Sequence, residues 1–292
     1  MFEAVIPSLN VKEFATALQC LCKIGKELLI EADILNEQLI LRTINDTKSV
    51  FSAFYFRKSD GYFDSFGCNE IKENTTSLNC KVVLKGVHNV FRTIKNVNFM
   101  RIMLEGFADS EILEGSEPNL IIQMECAYGL KKTHRFTYQD CEQMSAIFDT
   151  EGKSCISCPP RMLSKILDHL HGTVEVEFEI SSNQVTVRSY HQDEEVTNPN
   201  LGKSNLKTEM SLSCMDFDVF EVKADYCDQE GNLVFSLKAL KAFLGFCLQA
   251  EAADLALHFS FPGEAVRATA AAGARGGAEA EIVLATVEED GA

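Results

Sequence analysis

The 292-residue chain has no tryptophan and far fewer bases than acids. Nor does any run approach the roughly 18 apolar residues of a bilayer span. The missing tryptophan does not preclude a large core, because 20 Phe and a hydrophobic content of 46% supply one. Without a long apolar run no membrane-spanning helix is expected. The N-terminal MFEAVIPSLN also lacks the basic region and apolar stretch of a secretory leader, so a soluble intracellular protein is expected. A Walker-type glycine-rich phosphate loop is absent too, so no nucleotide-hydrolysis motif of that kind enters the reading. The 11 cysteines are odd in number and irregular in spacing, in a chain too long to need staples, and read as buried free thiols. With 27 Lys and Arg against 43 Asp and Glu, the net charge is −16. Uniform acidity would repel a polyanion, so what matters is where the bases sit.

The length suits about two domains of ordinary size. Four segments read as helices: Asn10 (an N-cap residue type) to Gly25 (a C-cap type), Val82 to about Lys95, Pro159-Pro160 to about His171-Gly172, and Leu237 to about Gln249. Alternating or β-rich runs fill the intervals: Glu27–Glu31, Gln38–Thr43, Val50–Phe56, Phe99–Glu105, Leu120–Cys126 and Thr133–Tyr138 in the first half. The second half has Val174–Ile180, Gln184–Tyr190, Leu206–Leu212, Phe220–Ala224, Asn232–Phe235, Leu255–Phe261 and Ile282–Val287. Helices one and three, and helices two and four, start about 150 residues apart, which suggests a duplicated unit of two helices and many antiparallel strands in an α+β architecture. Periodicity fades over Gln139–Ser157, so the expected division is a first domain at 1–138, a connector at 139–157 and a second domain at 158–292.

The helical faces are one-sided in charge. Leu84, Val87, Phe91 and Ile94 make an apolar stripe on the second helix, and Lys85, His88, Arg92 and Lys95 occupy its other side. In the first helix Val11, Phe14, Leu18 and Leu21 face inward, while Lys12, Thr16, Gln19 and Lys23 face out. Met162, Leu163, Ile166 and Leu170 line the third, leaving Arg161, Ser164, Lys165 and Asp168 outside. The fourth buries Leu237, Leu240, Leu244 and Cys247, and Lys238 and Lys241 snorkel outward. Together the helices hold nine basic residues against two acids, Glu13 and Asp168, a balance of +7 in a chain of −16. Charged outer faces are ordinary on amphipathic helices, but such faces usually mix signs. A surface that touches phosphate backbone without reading bases would need this pattern, with the acids carried elsewhere.

Several stretches, taken in order, resemble the Rad-nine family, whose fold is that of proliferating cell nuclear antigen. They are Leu41-Arg42-Thr43-Ile44-Asn45, Lys132-Thr133-His134 followed by Gln139-Asp140-Cys141-Glu142, Arg188-Ser189-Tyr190-His191, His258-Phe259 with Phe261-Pro262-Gly263, and Val283-Leu284-Ala285-Thr286. The resemblance implies two tandem sliding-clamp domains, with antiparallel sheets outside and four helices facing DNA. It implies a nuclear subunit of a heterotrimeric ring with the Rad-one and Hus-one clamp subunits, set on double-stranded DNA by an ATP-driven checkpoint clamp loader. No cofactor, metal or membrane enters this picture. Ring closure in such clamps adds strand to strand, which nominates Thr133, Arg135 and Thr137 on one edge and Leu206, Thr208 and Met210 on the other. By position, the family's outer groove for peptides of repair enzymes would use Ile44, Lys48, Met144, Ile147, Phe148, Pro262, Val283, Leu284, Ala285 and Thr286. Two departures stand out. Glu264–Glu281 is Ala- and Gly-rich where the family has a more hydrophobic hairpin, so a weakened edge or a flexible loop is expected. The chain also ends at Asp290-Gly291-Ala292, where the family continues into a phosphorylated tail.

Other chemistry is weaker. Cys155-x-x-Cys158 with His169 and His171 invites a zinc reading, but the histidines diverge at a helix end, and the cysteines are expected to pack at the start of the third helix. Cys141 with His134 lacks the orienting partners of a thiol nucleophile. His191 beside Asp193-Glu194-Glu195 reads as a solvated loop. A homotrimeric replication-type clamp and, from another class, a nuclease on a clamp scaffold remain as alternatives. The first would need self-complementary edges, and the second would need carboxylates converging on the helical face.

Overall fold

The computed structural model describes residues 1–68, 76–106, 117–190, 207–227, 232–273 and 277–287. His191, the acids Asp193 to Glu195, the edge residue Leu206, the stretch 274–276 and the terminal 288–292 lie outside the described residues.

Two similar series of elements follow one another. The first is β1 (Phe2–Pro7), α1 (Ser8–Ile24), β2 (Glu27–Asp33), β3 (Gln38–Ile44), β4 (Val50–Arg57), β5 (Ser65–Cys68), β6 (Ser77–Val83), α2 (Leu84–Val90), β7 (Val97–Glu105), β8 (Asn119–Cys126), β9 (Lys131–Thr137) and β10 (Gln139–Asp140). The second is β11 (Ser154–Cys158), α3 (Pro160–Asp168), β12 (Glu175–Ile180), β13 (Gln184–Tyr190), β14 (Glu209–Ser213), β15 (Val219–Glu221), a single turn α4 (Ala224–Cys227), β16 (Leu233–Ser236), α5 (Leu237–Gln249), β17 (Leu255–Phe259), β18 (Val266–Ala271) and β19 (Glu279–Leu284).

Strand pairing among the described residues is antiparallel and builds three sheets. Their orders are β5-β1-β7-β8-β9, then β10-β6-β2-β3-β4-β19-β18-β17-β11-β15, then β14-β13-β12-β16. The ten-stranded sheet runs through both halves, because β4 pairs with β19 from Leu284↔Val50 to Glu279↔Tyr55. Its inner face carries the core: Leu39, Leu41, Phe54 and Phe56 from the first half, with Leu255, Leu257, Ala268, Ile282 and Leu284 from the second. Phe54 meets Phe246 of α5 edge to face, 4.6 Å between centroids, so the cores fuse across the junction.

The helices pack side by side in the order α2, α1, α5, α3. Val11, Phe14, Leu18 and Leu21 are buried as the 3.6-residue period requires. Thr16 was expected outside but is buried against α5, its hydroxyl 2.9 Å from the Lys12 carbonyl and 3.4 Å from Gln249 Oε1. Asn10 does not cap α1. The helix begins at Ser8, and the Asn10 amide instead donates to the Tyr62 carbonyl at 2.9 Å. Gly25 does end it. A Cβ there would stand 2.1 Å from Thr43 Oγ1, so only glycine lets the chain leave so close to β3.

The second helix is shorter than its apolar stripe suggests. Val82 and Val83 belong to β6, where β-branched residues pair with Leu28 and Glu27, and α2 gives way to a 3-10 turn at Phe91–Thr93. Ile94 and Lys95 therefore lie beyond the helix. The third helix stops at Asp168 rather than near Gly172. The alanine-rich stretch corrects the expectation of a weak edge. Val266–Ala271 is an interior strand between β17 and β19, and Ala268, Ala270, Ala272, Ala278 and Ala280 are all buried. Alternation in register with long partner strands places these small side chains where little space remains. The last residues of the expected connector, Ser154–Ser157, likewise form most of β11.

Candidate nucleic-acid interface, partner groove and edges

The helical layer gathers the nominated cations. Lys12 and Lys23 lie on α1, Lys85 on α2, Arg92 and Lys95 just after it, Arg161 and Lys165 on α3, and Lys238 on α5, all exposed. None of these eight joins an ion pair among the described residues. Lys241 is half-exposed, its ammonium donating to the Leu170 carbonyl at 3.4 Å, which leads α5 toward the end of α3. Lys23 reaches across to α5, its Nζ 3.9 Å from where a Cβ on Gly245 would stand. Burial raises the Cys22 thiol, and Lys85 of the neighbouring helix pulls the other way. Burial and then Arg92 depress His88, so this imidazole adds no charge at neutral pH.

The two acids of the layer behave differently. Asp168 is exposed, but Glu13 turns away, and its Oε1 accepts the Ala278 N–H at 2.8 Å. Burial raises its carboxyl pKa, and the backbone hydrogen bond opposes the rise. Gly277 is held tight there, since a Cβ would stand 2.5 Å from the Ala272 carbonyl and 2.9 Å from Glu13 Oε2. The acid that sequence placed among the cations thus fastens the alanine-rich hairpin to α1.

On the other side, the connector crosses the outer face of the ten-stranded sheet. It starts as β10 beside β6, and Gln143 reaches Glu31 of β2. Phe148 then lies under two cations, 4.7 Å from Lys153 Nζ and 6.0 Å from Arg267 Cζ, and Lys153 pairs with Glu264 at 3.0 Å. Beneath it, antiparallel register sets Ile44, Phe51, Val283, Arg267 and His258 in one cross-strand row. The next row is Arg42, Ala53, Glu281, Thr269 and Ala256.

The nominated groove residues mostly meet here. Met144 and Ile147 are exposed at 41% and 100%, Pro262 is half-buried, and Lys48 projects from a turn with φ of 57°. Ala285 donates to the Ser49 carbonyl at 2.8 Å, and the Thr286 hydroxyl to the Glu264 carbonyl at 2.8 Å. Leu284 is the exception. It is wholly buried in the core, because a strand that shows Val283 outward must turn Leu284 inward. Sequence reasoning missed Phe51, Glu31 and Arg42, the last two joined in a buried ion pair. Alternation within VFSAFYF signals Phe51, but nothing local marks the pair.

Both nominated edges are outermost strands. On β9, Lys131, Thr133, Arg135 and Thr137 are exposed and the intervening residues half-buried. On β14 one side is bound to β13, Met210 is half-buried, and Thr208 extends the ladder to Ser189. Cys155 and Cys158, three apart on a strand, point to opposite faces. Cys155 lies beside His258, while Cys158 is buried with its thiol pushed up to about 12, so β11 rather than the helix start holds both. Cys141 sits against β6 with its thiol raised by burial, in a different sheet from His134 on β9.

Outer sheets, a helical layer rich in exposed cations and a duplicated order are the architecture of a DNA sliding-clamp subunit. In fold the chain is similar to the clamp protein PCNA of Thermococcus kodakaraensis, with a TM-score of 0.70 at 13% identity over 98% of this chain and 100% of that one. It is equally similar to that of Entamoeba histolytica, with a TM-score of 0.69 at 12% identity over 98% of both. Within that class the chain belongs to the Rad9 family, whose model matches residues 14–287. Among its relatives are the cell cycle checkpoint control protein Rad9 of Drosophila melanogaster, 24% identical over 87% of this chain and 50% of the relative. The DNA repair protein rad9 of Schizosaccharomyces pombe is 22% identical over 98% of this chain and 70% of its own length. The chain spans about half the length of the fly relative and of the Caenorhabditis elegans checkpoint protein hpr-9.

Proposed function

We propose that this chain is one subunit of a heterotrimeric clamp that encircles double-stranded DNA in the nucleus and serves damage-checkpoint signalling and repair. The supporting observation is the contiguous layer α2-α1-α5-α3, which carries exposed cations, unpaired among the described residues, on a chain of net charge −16. Such a layer attracts phosphate without reading sequence, and its acidic remainder keeps other surfaces off DNA. The chain acts as a platform and performs no chemistry of its own. Its two clamp domains flank a connector that runs from the end of β9 to the start of β11 at Ser154, and a clamp loader supplies the ATP hydrolysis.

In this reading β9 and β14 each add to an edge of a neighbouring Rad-one or Hus-one subunit, and the groove under the connector receives peptides of repair enzymes. The deciding measurement is solution mass by light scattering, for the chain alone and then mixed with those two subunits. A monomer of 32.4 kDa that enters a one-to-one-to-one complex is expected. A self-trimer would overturn the heterotrimer in favour of a replication-type ring.

A further inference from the structure

Beneath the connector lies a polar site that a purely apolar groove would not need. Glu31 of β2 and Arg42 of β3 pair on the outer face of the sheet, 4% and 5% exposed. Among the described residues, one side chain of the connector hydrogen-bonds to them. Gln143 Nε2 donates to Glu31 Oε1 at 3.1 Å and to Oε2 at 3.3 Å, and Gln143 is itself exposed. Arg42 Nε is buried with no acceptor among the described residues. A buried ion pair is costly to desolvate, and a donor left unanswered adds to that cost. The site therefore holds one acceptor answered by a residue open to water and one donor with no answer.

Its surroundings suit an extended chain. Ala53, opposite Arg42 on β4, adds no bulk beside the pair, and the apolar row Ile44, Phe51 and Val283 lies one step along the strands. Met144 and the fully exposed Ile147 overhang from the connector. We propose that the Glu31–Arg42 pair is the polar anchor of this groove and takes the backbone N–H and C=O of one residue of an extended partner segment in the place of Gln143. This rests on the groove reading given above. In an extended chain the N–H and C=O of one residue point to the same side, so that N–H answers Glu31 while that carbonyl answers Arg42 Nε. A cationic side chain would face Arg42 and an anionic one would face Glu31, which leaves a neutral donor–acceptor unit as the fitting chemistry. Side chains of an extended segment alternate, so a residue next to the anchored one sets its side chain on the Ile44–Phe51–Val283 row.

The test uses short random peptides displayed on phage, selected against the whole chain, with the tightest binder made synthetically. Replacing the pair together, Glu31→Leu with Arg42→Met, keeps a filled interior and should weaken this peptide about tenfold. One backbone N-methyl group in the peptide should cause the same loss on the unaltered chain and no further loss on the double variant. Gln143→Ala removes an exposed competitor and should tighten binding, a result that stands even if the double variant fails to fold. An N-methyl loss that adds in full on the double variant, or weaker binding to Gln143→Ala, overturns the anchor. Val283→Asp should abolish binding in every case. If it does so while the anchor fails, the groove reading survives alone, and if it leaves binding intact, both fall.

Discussion

If the helical layer is what meets DNA, removing its charges should change the salt dependence of binding by a calculable amount. Lys23, Lys85 and Lys238 stand on three different helices, are exposed and have no acidic partner among the described residues, which leaves their charge for phosphate. Each phosphate contact contributes about 0.9 to the slope of log K against log salt. Changing all three to Gln should lower that slope by about 2.7 and, at about 0.1 M salt, weaken association by up to roughly 500-fold. The substituted side chains touch solvent, so folding stability should move by less than about 0.5 kcal/mol per site. Fluorescence anisotropy of a labelled duplex, titrated with the chain over a range of salt, reads the slope directly. Lys48, exposed among the groove residues, serves as a control whose replacement should leave it unchanged. An unchanged slope in the triple variant, or an equal drop in the control, would refute the assignment of the helical layer to DNA.

Three further outcomes follow from the packing. Phe246→Ala empties a buried site at the seam between the halves and should lower stability by about 3–5 kcal/mol in urea unfolding. A loss below about 1 kcal/mol would mean the halves do not share a core. Gly277→Ala places a Cβ 2.5 Å from the Ala272 carbonyl, so its melting temperature should fall, whereas Gly67→Ala, with open space around it, should change it far less. The Glu13 carboxyl is raised in the folded state, so the folded chain takes up its proton at higher pH than the unfolded one. Its stabilising contribution is present below the ordinary carboxylate range and is lost as pH rises through the folded value. Glu13→Gln should therefore flatten the pH dependence of stability across that window, as followed by thermal melting, and an unaltered profile would contradict the burial of this group.

The sequence disclosed what depends on local periodicity. Inward stripes such as Val11, Phe14, Leu18 and Leu21 repeat at helical spacing, and runs such as EVEFEI alternate, so both kinds of element could be read without knowing their neighbours. What escaped depends on distant partners. Val82 and Val83 fit a helical stripe equally well, and only pairing with Leu28 and Glu27 commits them to a strand. The alanines of β18 carry little hydrophobic signal and become interior because β17 and β19 flank them. In the groove, Val283 and Leu284 look alike as letters, and register alone sends one outward and the other into the core. Glu31 and Arg42 are eleven residues apart on neighbouring strands, so their pairing across a covered face could not be read before the connector was placed over it.

The seam between β4 and β19 also has a mechanical consequence. Six paired positions from Val50 to Tyr55 bind the two halves side by side through backbone hydrogen bonds, so any pull applied across the strands loads the whole ladder at once. A ladder loaded in this way resists bending more than a lone linker would. In a ring assembled from such chains, the compliance needed to open a gap would therefore reside at the joints between subunits, proposed above to lie at β9 and β14, while each chain moves as a stiff arc.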